Sequence, residues 1–332
     1  MRLVRPVATA ALLMGVLASA PSLAAPARAV SLAVPVPVPV AGAGCGGSAL
    51  PVLARVVGRS ADGTAYSQRR LRWLQRDLTR RLRALGARHP ELAAQAPSAR
   101  IGPVLRIPVH VHMIDGAHVR GPSRHRVERQ LGVLNRAYDG GQSSLNTPTH
   151  FTFYLASFQR VRRSAWRTAG ISSAAERTMR QHLHVGGRQD LNLYIAKPTS
   201  GDGSVLLGFS TEPWQYAAHP RLDGVTIHQD SLPGGSLAGF NLGDTAVHEI
   251  GHWLGLLHPF TGRCSEPNDM VADTPEEATP STTCDETKDS CTAPGLDPVR
   301  NFMDYAPDAC MNRFTPDQVT RMTDEWLAYR TP

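Results

Sequence analysis

Lysine is nearly missing from this 332-residue chain: Lys197 and Lys288 are the only two among 35 basic side chains. That scarcity reflects genome composition and excludes no function. Aromatic residues are also few, at 6%, and they are not interleaved with the arginines; Trp73 stands almost alone in the basic N-terminal part. A nucleic-acid-binding arm stacks bases on aromatic side chains between its cations, so this absence argues against one. Beyond Val7–Ala18 there is no long apolar run that would suggest a membrane anchor, and that run is itself too short to span a bilayer. With Arg2 and Arg5 before it and Ala27-Arg28-Ala29 after it, the run reads as a secretory signal peptide over residues 1–29. The five cysteines contain no CxxC pair, which argues against a zinc cluster built on them.

What is present is concentrated in His248-Glu249-Ile250-Gly251-His252-Trp253-Leu254-Gly255-Leu256-Leu257-His258. Four residues apart on a helix, His248 and His252 leave the same face one turn apart and can grip one metal ion. Glu249 lies about 100° round the helix from His248, within reach of a metal-bound water without being a ligand, and this suits a general base. Gly255 can adopt the left-handed conformation that ends a helix, and the chain must turn there if His258 is to supply a third ligand. Three neutral histidines leave a fourth position for water, whose pKa a catalytic zinc lowers to roughly 7. The bland alternative is a pair of helix histidines satisfied in a core. A motif of this length also asks for a methionine turn downstream, and Asn301-Phe302-Met303-Asp304-Tyr305 supplies one.

Further stretches carry a resemblance: Cys264, Asn268 to Pro275, Cys284, Cys291, Gly295 to Pro298, Asn301 to Tyr305 and Asp308 to Met311, together with the histidine motif, resemble the pappalysin-type metzincins. The likeness covers the C-terminal third closely. Upstream it is looser, over Ile107 to His112 and Leu134 to Tyr138. The resemblance implies a secreted zinc endopeptidase of α+β zincin fold, with a twisted mixed sheet, backing and active-site helices and an irregular disulfide-bonded C-terminal subdomain. It implies that Met303 forms an apolar floor under the histidines and that Tyr305 donates a hydrogen bond to the tetrahedral intermediate. For Met303 and Tyr305 taken alone, ordinary core packing is the simpler reading. Four cysteines after the motif allow three pairings; the resemblance favours Cys264 with Cys291 and Cys284 with Cys310. Hard oxygen donors in the tight loop Asp269 to Pro275 suit calcium, and the resemblance places an ion there with Asp269, Thr274 and the Ala272 carbonyl as ligands.

Residues 30–100 read as a prosegment and 101–332 as the catalytic domain, divided near residue 258. Val34 to Val40 is a Pro-Val tract that cannot form a helix, and the Gly-rich Ala41 to Gly47 follows. Arg69–Leu85 is expected to be a helix with Leu71, Leu74, Leu78, Leu82 and Leu85 on one stripe and Gly86 as its stop. A membrane-surface helix would look similar, but a single short leucine stripe more often packs on protein. Residues 1–100 hold 14 arginines against Asp62, Asp77 and Glu91, whereas residues 248–310 hold 12 carboxylates against Arg263, Lys288 and Arg300. Opposite potentials of this kind would help hold an inhibitory segment over the catalytic half. Arg69-Arg70 and Arg80-Arg81 are candidate maturation sites. Cys45, followed by Gly46-Gly47, is a candidate cysteine switch whose thiolate would take the fourth metal position; otherwise it is an incidental thiol.

The middle of the chain reads as scaffold. Leu105 to Met113 alternates as a half-buried strand, with His110 and His112 as face residues rather than ligands. Arg126 to Tyr138 and Glu176 to Leu183 are expected helices, and Phe151 to Phe158 and Leu191 to Ala196 expected strands. Leu222 to Gln229 is the candidate edge strand for a substrate's extended backbone, and Asp244 or Thr245 the cap of the active-site helix. The loop Asp304 to Cys310 should border the pocket after the cleaved bond; Asp308 there suits a basic side chain, the uncharged Ala309 adds nothing to that, and the preference stays open. Protein or peptide substrates, no nucleic acid, no membrane anchor and the chain's own prosegment as inhibitor complete the expected partners. A zinc hydrolase of a non-peptide bond and a silent binding module are the rivals; the presence of Glu249 and Tyr305 argues against the second.

Overall fold

The computed structural model describes residues 53–56, 66–90, 104–200 and 204–331, all within the unit Ser48–Pro332. In chain order the principal elements are β1 (Leu53–Val56), α1 (Gln68–Arg88), β2 (Leu105–Asp115), α2 (Arg124–Tyr138), β3 (Phe151–Arg162), α3 (Ser164–Arg167), α4 (Ala174–Leu183), β4 (Leu191–Ala196), β5 (Leu206–Ser210), β6 (Val225–His228), α5 (Asp244–Trp253) and α6 (Pro316–Glu325). A single π turn, Trp326–Arg330, follows α6. None of the described helices is long and apolar enough to cross a membrane.

The strands form one mixed sheet in the order β1-β5-β6-β4-β2-β3. Strands β3, β2, β4 and β6 run parallel, and β5 and then β1 are added antiparallel. Parallel strands covered on both faces are apolar throughout, and β4 and β6 are buried at every position. Alternation on β2 sends Ile107, Val109, Val111 and Met113 into the main core with Val127, Leu131 and Leu134 of α2 and Val247 and Ile250 of α5. Its other face carries His110 and His112, satisfied by neighbours: His110 meets Ser157 Oγ at 2.8 Å, and His112 Nε2 meets Asn192 Oδ1 at 2.9 Å.

Leu222 to Gln229 is not an edge. Its strand, β6, lies between β4 and β5, and it is β5 that carries the antiparallel β1 on its outer side. Alternation identifies a strand but not its neighbours, because sheet order here departs from chain order.

Ser67, Ser123 and Ser173 cap α1, α2 and α4, each accepting a backbone N–H three residues on. Helix α1 does not stop at Gly86 but runs to Arg88. Both dibasic pairs, Arg69-Arg70 and Arg80-Arg81, therefore lie inside a helix, with Arg80 and Arg81 bonded to Asp77 of the same helix. Leu71 and Leu74 pack with Tyr66 and Leu257, and Tyr329 donates to Asp77 at 2.7 Å. The expected leader, the Pro-Val tract and Cys45 lie outside the described residues.

Between α5 and α6 the chain is irregular. Disulfides Cys264–Cys291 and Cys284–Cys310 cross it, each with Cα atoms 5.5 Å apart. Lys288 adds a polar hub, its ammonium 2.5 Å from Glu277 Oε1 and 2.9 Å from Asp297 Oδ2.

Candidate active site

Helix α5 is buried at every residue, so its sequence is set by contacts on all sides. It ends in a Schellman turn: Gly255 N–H donates to the His252 carbonyl at 2.9 Å, and Leu256 N–H reaches back to the Gly251 carbonyl at 3.0 Å. Gly255 has φ +98°, and a side chain there would also run into Glu325 of α6. Arg321 of the same helix donates to the Gly255 carbonyl at 3.0 Å, which fixes the bend from outside. The turn returns His258 to the helix, and the three Nε2 atoms stand 3.0 to 3.2 Å apart.

Tautomers follow from the second ring nitrogen. His248 Nδ1 is 2.7 Å from the Phe302 carbonyl, and His252 Nδ1 is 2.8 Å from the Leu256 carbonyl. Each Nδ1 must donate there, which turns the Nε2 lone pair inward. Burial holds the His252 pKa down to about 4, so the ring is neutral as a ligand requires. Converging lone pairs at this spacing repel one another unless a cation lies between them. A single ion with Zn–N bonds of about 2.0–2.1 Å can span them. Among the described residues this trio is the one group of three or more His, Cys, Asp or Glu side chains arranged closely enough to hold an ion.

Glu249 is fully buried beside the trio and lies against β5. A Cβ placed on Gly208 would stand 2.7 Å from both its Cγ and its Oε1, so only glycine leaves room for that carboxylate. From below, Met303 presses its sulfur against Gly251, whose missing side chain admits it. The methionine turn is fastened by Asn301, which accepts from Met303 N–H at 2.9 Å and exchanges two hydrogen bonds with Gln318 of α6. Two residues past Met303, the Tyr305 ring lies 4.9 Å from that of His258 and 5.7 Å from that of His248.

The start of α5 corrects one expectation. Neither Asp244 nor Thr245 is the N-cap; Gly243 holds that position at φ +107° without a capping side chain of its own. The acceptor comes from across the site: Asp308 Oδ2 takes N–H bonds from Leu242 at 2.9 Å, Gly243 at 3.1 Å and Asp244 at 3.4 Å. One oxygen of Asp308 is thus committed to a helix N-terminus, where the macrodipole favours a negative charge.

In the loop after His258, Asp269 and Thr274 are buried, and neither Asp269 Oδ2 nor Thr274 Oγ1 has a well-formed hydrogen bond. Burial pushes the Asp269 carboxyl well above the usual carboxylate range. The Thr274 hydroxyl pulls it the other way, and together the two residues place buried hard oxygens of the kind calcium takes in one loop.

Comparison with known proteins places this geometry. Residues 236–327 match the family model of pregnancy-associated plasma protein-A, a peptidase family. An extracellular metalloprotease of Pyricularia oryzae is 37% identical over 245 residues, 72% of this chain and 81% of the relative. One of Neurospora crassa is 42% identical over 205 residues, 61% and 67% of the two chains. This chain belongs to the pappalysin family of metalloproteases.

Among solved structures, mature mirolysin of Tannerella forsythia in complex with a cleaved peptide matches with a TM-score of 0.56 and 28% identity, covering 68% of this chain and 96% of that one. A mutant of its precursor, promirolysin, matches at 0.59 and 26%, covering 75% and 87%. Like its relatives, this pappalysin is an extracellular metal-dependent protease. Three parts of its site escaped the sequence reading. Gly208 carries no local signal, because its role depends on β5 lying over α5. Gly251, a poor helix former between two histidines, was the visible clue to the methionine beneath it. The contacts of Arg321 and Glu325 with the Gly255 turn come from a helix some 70 residues downstream and had no local signature.

Proposed function

We propose that this pappalysin is a secreted zinc endopeptidase, made as a latent precursor, with His248, His252 and His258 as ligands and Glu249 as general base. The approach of the three Nε2 atoms to 3.0–3.2 Å carries this reading. A bound zinc supplies a Lewis acid that acidifies water and polarises the scissile carbonyl. Glu249, confined between α5 and β5, takes a proton from the attacking water and delivers it to the leaving amine. Tyr305, beside the His248 and His258 rings, donates its hydroxyl to the developing oxyanion. Met303 and Gly255 act on the imidazoles alone, one as floor and the other as bend.

The outer edge of β5 aligns the substrate as an added antiparallel strand. That edge now pairs with β1, whose Arg55 is in register with Gly208, the strand residue that Glu249 lies against. A backbone from residues 30–100 standing there supports their role as an inhibitory prosegment, preceded by a signal peptide at 1–29. The catalytic domain then begins near residue 101. Cys45 completes the latency proposal as a zinc-directed thiolate; a Cys45→Ala precursor as silent as the parent removes that part. Asp269, Thr274 and the Ala272 carbonyl would hold calcium, whose removal lowers thermal stability with recovery by calcium alone.

The test of the catalytic reading is a pair of variants. Glu249→Ala keeps its zinc and loses about 100- to 10,000-fold in turnover, whereas His252→Ala loses zinc as well. Near-normal peptide cleavage by Glu249→Ala contradicts the assignment.

A further inference from the structure

Tyr66, just before α1, is inserted into the catalytic half. It is 6% exposed, its hydroxyl donates to Glu212 Oε1 at 2.8 Å, and its ring meets the Trp214 ring edge-on with centroids 6.2 Å apart. Leu257 and Met270 belong to the same apolar cluster as Tyr66 and Trp214. The pocket is thus built for a phenol: a buried carboxylate at the bottom to accept the O–H, an indole at the side and aliphatic contacts round the ring.

Its place relative to the reaction follows from strand register. On β1, Leu53 lies opposite Ser210 and Val56 opposite Leu206, with Gly208 and Glu249 between. An antiparallel peptide replacing β1 on that edge therefore runs its N-terminal half toward Ser210. Two residues beyond Ser210 is Glu212, and the 3-10 turn Pro213–Gln215 brings Trp214 beside it. Leu257 of the same cluster is the immediate neighbour of His258 in the chain. The Tyr66 pocket thus lies along the substrate's path, upstream of the bond to be cut.

We propose that Glu212, Trp214, Leu257 and Met270 form a substrate subsite for a tyrosine on the N-terminal side of the scissile bond, filled in this structure by the chain's own Tyr66. The proposal rests on the reading of residues 30–100 as a released prosegment, since the subsite opens when Tyr66 and α1 leave. Glu212 is the discriminating residue. A phenylalanine fits the same walls but cannot replace the phenol's O–H bond to Glu212 Oε1, which tyrosine makes at 2.8 Å in addition to the N–H that Glu212 accepts from Gln215, and losing a hydrogen bond to a carboxylate is what a polar subsite discriminates against. Trp214 sets the preference for a ring over an aliphatic chain.

The experiment uses enzyme processed from the full chain, with its N-terminus and any bound fragment read by intact mass. Peptides scanning tyrosine and phenylalanine through each upstream position are compared by kcat/KM. At one upstream position the tyrosine peptide is cleaved at least about tenfold faster than the phenylalanine peptide. In Glu212→Gln that ratio falls several-fold, and in Trp214→Leu both aromatic peptides lose their advantage over leucine. A ratio taken within one preparation does not depend on how much of a variant folds. Enzyme that has shed Tyr66 but shows a ratio near one at every upstream position overturns the subsite, as does a ratio unchanged by Glu212→Gln. Residues 66–90 still bound to active enzyme would overturn both the subsite and the prosegment reading, and the mass measurement tells that failure from the first.

Discussion

Glycine at three positions decides where the proposed catalytic and metal-binding groups can stand. Gly255 lets the chain turn so that His258 rejoins the helix, Gly251 lets a methionine sulfur lie under the two helix histidines, and Gly208 lets a carboxylate lie against a strand. Each absent side chain is replaced by a functional one from elsewhere. The consequence is testable at Gly208, which contacts Glu249 but neither binds metal nor titrates. An alanine there forces the Glu249 side chain to move, and a displacement on the order of 1 Å costs up to about 100-fold in rate. Gly208→Ala should therefore lower kcat by about 10- to 100-fold with metal content intact. A parental kcat, measured on protein with a full metal complement, would show that the carboxylate's place is not set by β5.

Helix α5 holds its position through both ends. At its N-terminus Asp308 receives three backbone N–H groups; at its C-terminus the buried Arg330 donates to the Trp253 carbonyl at 3.0 Å and pairs with Asp223 at 2.9 Å. Asp308→Ala removes the acceptor at the start of the helix and should cost roughly 1 to 2 kcal/mol in unfolding free energy, the usual range for a lost cap. A parental urea midpoint would refute that role. Neither partner could be found by reading along the helix. Its periodic pattern, its two histidines and its glycine stop are local and legible, as are β2 and α2 from their alternation or stripe and β4 from a short apolar run buried on both faces. The identity of the edge strand, the cap from Asp308 and the seat of Arg330 depend on which elements lie side by side, and no local spacing encodes that. The boundary at Gly86 shows the same limit from the other side, since α1 runs past it to Arg88.

Across the whole molecule, the C-terminal segment ties the metal site to stability. Glu325 of α6 touches Gly255, pairs with Arg321 at 2.8 Å and is buried with one oxygen unpartnered. Burial pushes its carboxyl up to about 7 against the pull of Arg321, from an ordinary value of 4.5. As pH rises between those values, the unfolded chain has given up a proton that the folded chain still holds, so this residue makes folding less favourable with increasing pH. The penalty is complete above about 7. Glu325→Gln should thus gain in melting temperature relative to the parent as pH goes from about 5 to 8, and a difference that is flat or declines over that range contradicts the assignment. The same segment meets Gln75 and Asp77 of α1, so one surface serves both the bend that carries His258 and the segment proposed to keep the enzyme latent. All of these arrangements matter for catalysis only if the convergent histidines hold an ion. The most direct measurement is the zinc content of purified, active protein by inductively coupled plasma mass spectrometry, followed by chelation and readdition. One zinc per chain, with peptide cleavage lost on its removal and restored by its return, is the predicted result; active protein with no stoichiometric transition metal would contradict the account.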